Sequence, residues 1–561
     1  MKKNLKLALA LIFASIVMVG CSCYNKMLKN VALIQASCSP EVLTLKGSKV
    51  YAEYTVTFPA KYFSKAAVVK VTPVLVYEGG EIAGTPKFVQ GEDVQDNFTV
   101  IPNKLGGSFT EKIEFDYAEA AVLSTLELRF EGKCDETCSK KNTEFVPFIS
   151  IPVAQGISTV QEMAKRNMYT EMCKDNFKRV YTVSKDAEIL YKINSSVVNK
   201  AELSSESIAL FKDFVKENVE NERATMGNVY AKGYASPDGG VKFNDRLSSQ
   251  RSKTGNKAIS SALKGVDVKY DVTSYGEDWE GFKKLVEASD IEDKALILQV
   301  LQMYDNPVKR DEEIQNMAAV FKVLATEVLP KLRRTQLVAD AEIQNLSDEE
   351  IKAAVKAGCT GLELETALFG ATLYKDLETK IKVYTYAAET YNCFRAYNNL
   401  ATCYMKQNKV AEAKTAIDKA ASLKTNDIVT NNLAVLAIME GKLSDAKGYL
   451  KNLKGNMAKA NLALIALLEG EYATAAKTLE GYNLAVAQIC NGDLAAATKA
   501  LANEKSPKAA YLKAVIAMRQ GDTTGAIANL KVACAKENLK AKSKKDVEFA
   551  KLFGTAEFDA L

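Results

Sequence analysis

The sequence predicts a multidomain chain with an antiparallel β-sandwich first, an α/β sandwich in the middle and an all-helical solenoid of repeats at the end. Three observations carry this. Apolar residues recur with a period near two from 27 to 155, strand and helix patterns alternate from 156 to 345, and a short helical phrase recurs from 346 to 561. The 561 residues, 47% apolar and 25% charged, are ordinary globular material. They suffice for about three or four domains at ~150 residues each.

Residues 1–20 precede these elements as an address. Lys2, Lys3 and Lys6 lead into an apolar run from Leu7 to Val19, and Gly20-Cys21 follows. That order is the basic start, apolar middle and small-residue cleavage site of a secretory signal. A helix rising 1.5 Å per residue needs ~20 apolar residues to cross a bilayer, so this run is too short for a permanent span. Met18-Val19-Gly20-Cys21 resembles a lipobox, which implies that Cys21 becomes the acylated first residue of a lipid-anchored protein. An ordinary signal peptide with an incidental Cys is the alternative. Residues 21–26 then form a short linker at an outer membrane. No acidic run follows Cys21, and this favours a periplasm-facing protein. Removing three lysines from a formal charge of +5 leaves +2, a balance that does not suggest nucleic acid as a partner.

The β-sandwich reading rests on strands such as Lys49–Phe58. Val50, Ala52, Tyr54, Val56 and Phe58 share one face there, and Tyr51, Glu53, Thr55 and Thr57 the other. Leu126, Leu128 and Phe130 repeat the pattern. Val68–Tyr77 is a third strand, and Pro73 within it predicts an edge or a bulge. Gly79-Gly80, Pro102-Asn103, Gly106-Gly107 and Gly132 separate the strands. Export implies an oxidising compartment, and Cys134 and Cys138, with Asp-Glu-Thr between them in a polar turn, are the expected disulfide, free thiols being the alternative.

Cys393, Cys403, Cys490 and Cys534 fall within helical patterns and are expected to be small buried hydrophobes. The sequence contains no His, so catalytic triads, Cys-His dyads and His-ligated zinc are excluded. No Walker-type phosphate loop is present. No metal site, cofactor or catalytic residue is therefore assigned, and a non-enzyme is expected. Paired-carboxylate chemistry survives that filter, but no pair stands out among 69 acidic residues.

In the middle region, 177–198 reads as extended, 204–220 as a helix, 228–235 as a strand, 244–263 as a helix and 268–274 as a strand. A helical insertion follows, Pro330 breaks it, and a closing strand is expected near 333–342. The stretch Gly233-Tyr234-Ala235-Ser236-Pro237-Asp238-Gly239 is followed by Asn244, by Leu247-Ser248 and by Arg251. Asn244 lies eight residues and Arg251 fifteen beyond Ser236. This spacing resembles the signature of the OmpA C-terminal domain family, over roughly one third of the chain.

The resemblance implies peptidoglycan as a ligand. In that family a turn Asp holds the diaminopimelate ammonium and the Arg pairs with its carboxylate. A zwitterion needs one anion and one donor fork at fixed separation. Arg251 keeps the Arg, whereas Ser236 stands where the Asp should be and Asp238 is the nearest anion. The stretch resembles a divergent branch lacking the turn Asp. Ser236, Asp238, Asn244 and Arg251 are the candidate peptidoglycan-binding residues; the alternative is that Asn244 and Arg251 only hold the turn and helix together. Glu277-Asp278 reads as a helix start before Trp279, and Arg333-Arg334 as a solvated strand edge.

In the last region a turn residue and a charged residue precede an Ala and a large aliphatic residue four apart. The phrase begins at Asn408, Gly441, Gly470, Gly492 and Gly521, at intervals of 33, 29, 22 and 29. Tyr397, Leu400, Ala401, Tyr404, Ala413, Ile417 and Ala420 fill the positions of a tetratricopeptide (TPR) repeat, a family these units resemble. The resemblance implies stacked helix pairs with a groove that binds a protein partner; a purely structural stack is the alternative. The expected whole is a lipid-anchored scaffold or adaptor, with the OmpA-like domain near the wall and the repeats holding a partner. A subunit of a surface or secretion assembly without wall binding is the second reading, and a wall-acting enzyme the third.

Overall fold

The computed structural model describes residues 23, 25–135 and 144–561. Cys21, Cys138 and the signal segment lie outside them. The chain forms two compact units, one from the residues up to Lys174 together with Asp376–Leu561, the other from Asp175–Lys375. The first is β-rich at its start and all-helical after Asp376; the second contains a four-stranded sheet and helices.

The strands of the first unit are β1 (Gln35–Lys46), β2 (Lys49–Phe58), β3 (Ala67–Tyr77), β4 (Gly80–Ala83), β5 (Lys87–Gln90), β6 (Thr99–Val100), β7 (Gly107–Asp116), β8 (Thr125–Cys134), β9 (Val146–Gln155) and β10 (Ile157–Ser158). One sheet runs β10-β1-β2-β7. The other runs β6-β5-β3-β8-β9, with β4 also on β3. The long neighbours are antiparallel, while the short pairs β1/β10 and β5/β6 are parallel, so the sheets are mixed at their margins. Val50, Tyr54, Val56 and Phe58 from one sheet share a buried cluster with Val69, Val71, Leu126, Leu128 and Phe130 from the other. The alternation read from the sequence is the side-chain period of a strand with one face inward.

Pro73 is not at a sheet edge. It lies in β3 opposite Leu128, where pairing on the other flank passes from β5, ending at Val71, to β4, starting at Val74. Its carbonyl accepts from Gly84 on that flank (2.8 Å), and the missing N–H faces the same gap. The disulfide also differs from expectation. Cys134 is bonded to Cys23, with 6.1 Å between Cα atoms. The helix Asn25–Lys29 buries Met27 against the β domain, and Tyr62 Oη donates to its carbonyl (3.1 Å), which holds Cys23 beside the end of β8. Packing across 111 residues, rather than closeness in sequence, chooses the partner.

The second unit contains β11 (Val180–Leu190), β12 (Ala224–Ala235), β13 (Tyr270–Glu277) and β14 (Arg334–Gln344), in the order β11-β14-β12-β13. β12 and β13 are parallel and the other pairs antiparallel. The helices Glu206–Glu220 and Val241–Ala262 bury Ile208, Phe211, Val215 and Ile259 with Ala187, Ile189, Val229, Ala231 and Leu337 of the sheet. The helical insertion between β13 and β14 has a separate core around Phe282, Val286, Ile297, Leu324 and Leu332. Asp348–Lys356, started by a Ser347/Glu350 capping box, and Leu364–Thr372 belong to this unit too.

After Asp376 the first unit resumes with helices from Leu377–Tyr391 onward. Asn408, Gly441, Gly470, Gly492 and Gly521 all have left-handed backbone, with φ of 60°, 81°, 86°, 85° and 81°. That conformation ends a helix cheaply only for Gly or Asn. The paired Ala413/Ile417, Ala446/Leu450, Ala475/Leu479, Ala497/Leu501 and Ala526/Leu530 are all buried. The 22-residue interval has a physical cause: its first helix, Tyr472–Ala475, is a single turn. Of the four cysteines there, Cys403 is buried, its thiol pushed up to about 11 by burial, and the other three are half-buried.

Candidate functional site

The turn from Gly233 to Gly240 is built at the point where β12 meets the helix Val241–Ala262. Gly233 permits that meeting, since a Cβ there would lie 2.1 Å from the Ser248 carbonyl oxygen. Ser236 and Asn244 are buried beyond it. The Asn244 amide donates to the carbonyls of Ser236 and Gly239, both at 3.2 Å, and to Glu277 Oε1 at 3.0 Å. The turn, the helix and the end of β13 are thereby tied together.

Arg251 is 1% exposed. Its Nε donates to the Ser195 carbonyl (3.0 Å), Nη1 to that of Tyr234 (3.0 Å) and Nη2 to that of Lys192 (3.4 Å). Burial pushes the guanidinium down to about 10, so it stays charged at neutral pH. All three of its nitrogens serve the main chain. Tyr191 Oη and Thr335 Oγ1 in turn bond the Arg251 carbonyl at 3.0 and 2.8 Å.

The Ser236 hydroxyl donates to the Asp238 carboxylate. Arg333, 8% exposed, then closes the group. Its Nε donates to Ser236 Oγ at 3.1 Å and its Nη2 to Asp238 Oδ2 at 2.9 Å. The four residues singled out by the motif therefore do come together, and Arg333 is the fifth member. The expected solvated edge at Arg333-Arg334 is not found. Arg334 pairs with Glu188 and with Asp278 Oδ2 (2.7 Å), because β14 lies inside the sheet, where an unpaired guanidinium would be poorly hydrated. Asp278 is the N-cap of Trp279–Glu287 and accepts from the Gly281 amide (2.8 Å), as a helix start should. Chemically, the turn carries one anion neutralised by one cation, and a second cation satisfied by carbonyls.

A second polar constellation was not read from the sequence. Residues 164–174, which turn at 166–168 and carry no helix or strand, run along the helical repeats, and buried asparagines on successive helices bond their main chain. Asn483 accepts from the Lys165 amide (2.9 Å) and donates to its carbonyl (3.0 Å). Asn461 and Asn431 both donate to the Tyr169 carbonyl at 3.0 Å. Asn432 accepts from the Glu171 amide (2.8 Å) and donates to its carbonyl (2.6 Å), and Asn399 treats Cys173 the same way (2.7 and 2.9 Å). A carboxamide presents an acceptor and a donor side by side, as does the edge of a β-strand. It therefore pairs with the main chain at 165, before the turn at 166–168, and at 169, 171 and 173 after it, every second residue of the stretch that follows.

This face of the helices holds the chain's own segment. The signal was present as Asn-Asn at 398–399 and 431–432 and single Asn at 461 and 483, recurring with the repeat. Among the described residues no group of three or more His, Cys, Asp or Glu is placed to hold a metal, and no helix is long and apolar enough to cross a membrane. No protein-family model matches the chain, and no characterised protein matches it in sequence.

Proposed function

We propose that the chain is a non-enzymatic scaffold lipoprotein of a Gram-negative cell envelope, acylated at Cys21, working as a subunit of a larger surface or secretion assembly. In this reading the middle unit is an OmpA-like domain lying near the wall without clamping diaminopimelate, and the C-terminal helices are a TPR-type array. One observation carries the choice over wall binding: Asp238 is neutralised by Arg333 at 2.9 Å while Arg251 serves three carbonyls. A zwitterionic ligand would have to displace both arrangements. A charge-assisted bond is worth ~1.5–3 kcal/mol, so breaking existing ones offsets most of what the new ones contribute.

The test is co-sedimentation of the purified soluble chain with isolated peptidoglycan, wild type beside Asp238→Asn and Arg251→Ala. The expected result is no retention above a control protein for any of them. Retention of wild type that is lost in Asp238→Asn, a variant whose fold should survive, would restore peptidoglycan as the ligand. Turnover of muropeptides by the purified chain would replace the scaffold with an enzyme.

A further inference from the structure

The β domain has two ends of different character. At one, Gly47 donates to Gln161 Oε1 (3.2 Å), Gln161 Nε2 donates to the Leu468 carbonyl (2.7 Å), and Tyr472 Oη bonds the Leu45 carbonyl, so the helical repeats cover it. At the other, the disulfide Cys23–Cys134 ends β8, Met27 packs under the turn that follows β2, and the turn 102–106 is tied to that same turn through Asn103 Nδ2 to the Phe63 carbonyl (2.7 Å). Leu105 at its tip is 82% exposed. Lys26, Lys29, Lys61 and Lys104 are exposed around it. Of the carboxylates at this end among the described residues, Glu92 is neutralised by Lys65 at 2.7 Å, and Asp93, Asp96 and Asp135 lie there too.

We infer that this Leu105 end of the β domain is a membrane-contact face seated in the headgroup layer of the bilayer that holds the anchor; the inference rests on acylation of Cys21. Cys21 is two residues from Cys23, and two residues reach at most about 7 Å. Since Cys23 is covalently fixed to β8, no long spacer separates the acyl chains from the folded domain. The end bearing Cys23 is thereby forced toward the lipid, and the opposite end, covered by helices, is turned away. An exposed leucine at a loop tip flanked by lysines suits that boundary, the apolar group dipping below the headgroups and the ammonium groups meeting lipid phosphates.

The full-length protein, expressed with its signal, is reconstituted into phosphatidylethanolamine–phosphatidylglycerol vesicles with brominated acyl chains. Leu105→Trp is compared with Leu123→Trp. Leu123 is 45% exposed beside the start of β8, a ten-residue strand or about 33 Å away from the Cys134 end. Quenching is read as the difference from the parent protein, and the mass of the N-terminal peptide reports acylation. The indole introduced by Leu105→Trp should be quenched at least about twice as strongly as the one introduced by Leu123→Trp, a contrast that shrinks in the Cys134→Ser background once the tether is loosened. An acylated protein with equal quenching in the two variants, or stronger quenching in Leu123→Trp, overturns the inference alone. An N-terminal peptide without acyl chains overturns both it and the lipoprotein reading.

Discussion

The turn at 233–251 and the asparagine ladder at 398–483 both bury polar side chains against main-chain carbonyls, yet they are assembled over very different distances. The turn's bonds to Ser236, Tyr234 and Arg333 span 8 to 97 residues, whereas the ladder's span 226 to 318. The turn uses charges and the ladder neutral amides. A buried charge must be fully solvated by its surroundings, so its neighbours are constrained closely. A carboxamide carries its donor and acceptor together and accepts any extended main chain of suitable register. The turn is therefore a fixed local structure, and the ladder a place where a distant segment is held irrespective of most of its side chains.

That contrast can be broken first at Arg251. Truncation to Ala takes the guanidinium donor from the carbonyls of Ser195 and Tyr234, and from that of Lys192, which keeps the Ser195 amide (3.2 Å), and opens a void. The middle unit should lose about 3 kcal/mol or more in denaturant unfolding. Arg251→Lys should recover only part of it, since an ammonium cannot serve three carbonyls in a planar fork. A loss below about 1 kcal/mol would mean that the buried charge is less demanding than argued.

Asn432→Ala tests the ladder at its centre. It strands the amide of Glu171 and removes the shortest bond to its carbonyl, which keeps Asn398 Nδ2 at 3.1 Å, and should destabilise the first unit by about 1–2 kcal/mol. Amide exchange at Glu171 should accelerate, with the middle unit unchanged. If exchange at 165–173 is unaffected, the asparagines do not hold the segment.

A smaller effect is expected at Asp546, which lies in the same unit beneath the repeats. Burial holds its carboxyl above the ordinary aspartate range although Tyr511 Oη bonds it at 2.6 Å. The folded state thus binds a proton more readily than the unfolded one. The burden of the ionised form is present at neutral pH and is relieved as pH falls through the raised folded value toward the ordinary one. Stability of the first unit should rise on mild acidification, and Asp546→Asn should flatten that rise. A monotonic fall from neutral pH in both proteins would contradict it.

The smallest effect belongs to Glu350, which is fully exposed. Arg223 and the Ser347 amide and hydroxyl hold its carboxyl down to about 2, so its contribution disappears only as pH falls from the ordinary glutamate range to that value. Glu350→Gln should leave the unfolding midpoint at neutral pH unmoved within error, since water screens such a pair.

Much of the fold was legible because it depends on periods and turn residues. Val50 to Phe58 alternate because a strand shows one face to the core, and Asn408 and the four glycines mark turns because left-handed backbone excludes most side chains. The motif residues Ser236, Asp238, Asn244 and Arg251 were legible as a group for the same reason, since strand, turn and helix set their offsets. Arg333 was not, because its partner Asp238 lies 95 residues away. Nor was the Cys23–Cys134 bridge, where local spacing pointed to Cys138.

By itself, then, the sequence determined which segments are strands, helices and turns, and which residues share a face, since these follow from the backbone's own periodicities and steric limits. Only the tertiary structure decided which distant groups pair: Arg333 with Asp238 as an ion pair, Cys134 with Cys23 as a disulfide, and the asparagines with the main chain of residues 165–173. Those choices depend on positions in space that separate stretches of chain reach together, and no local pattern encodes the distance between them.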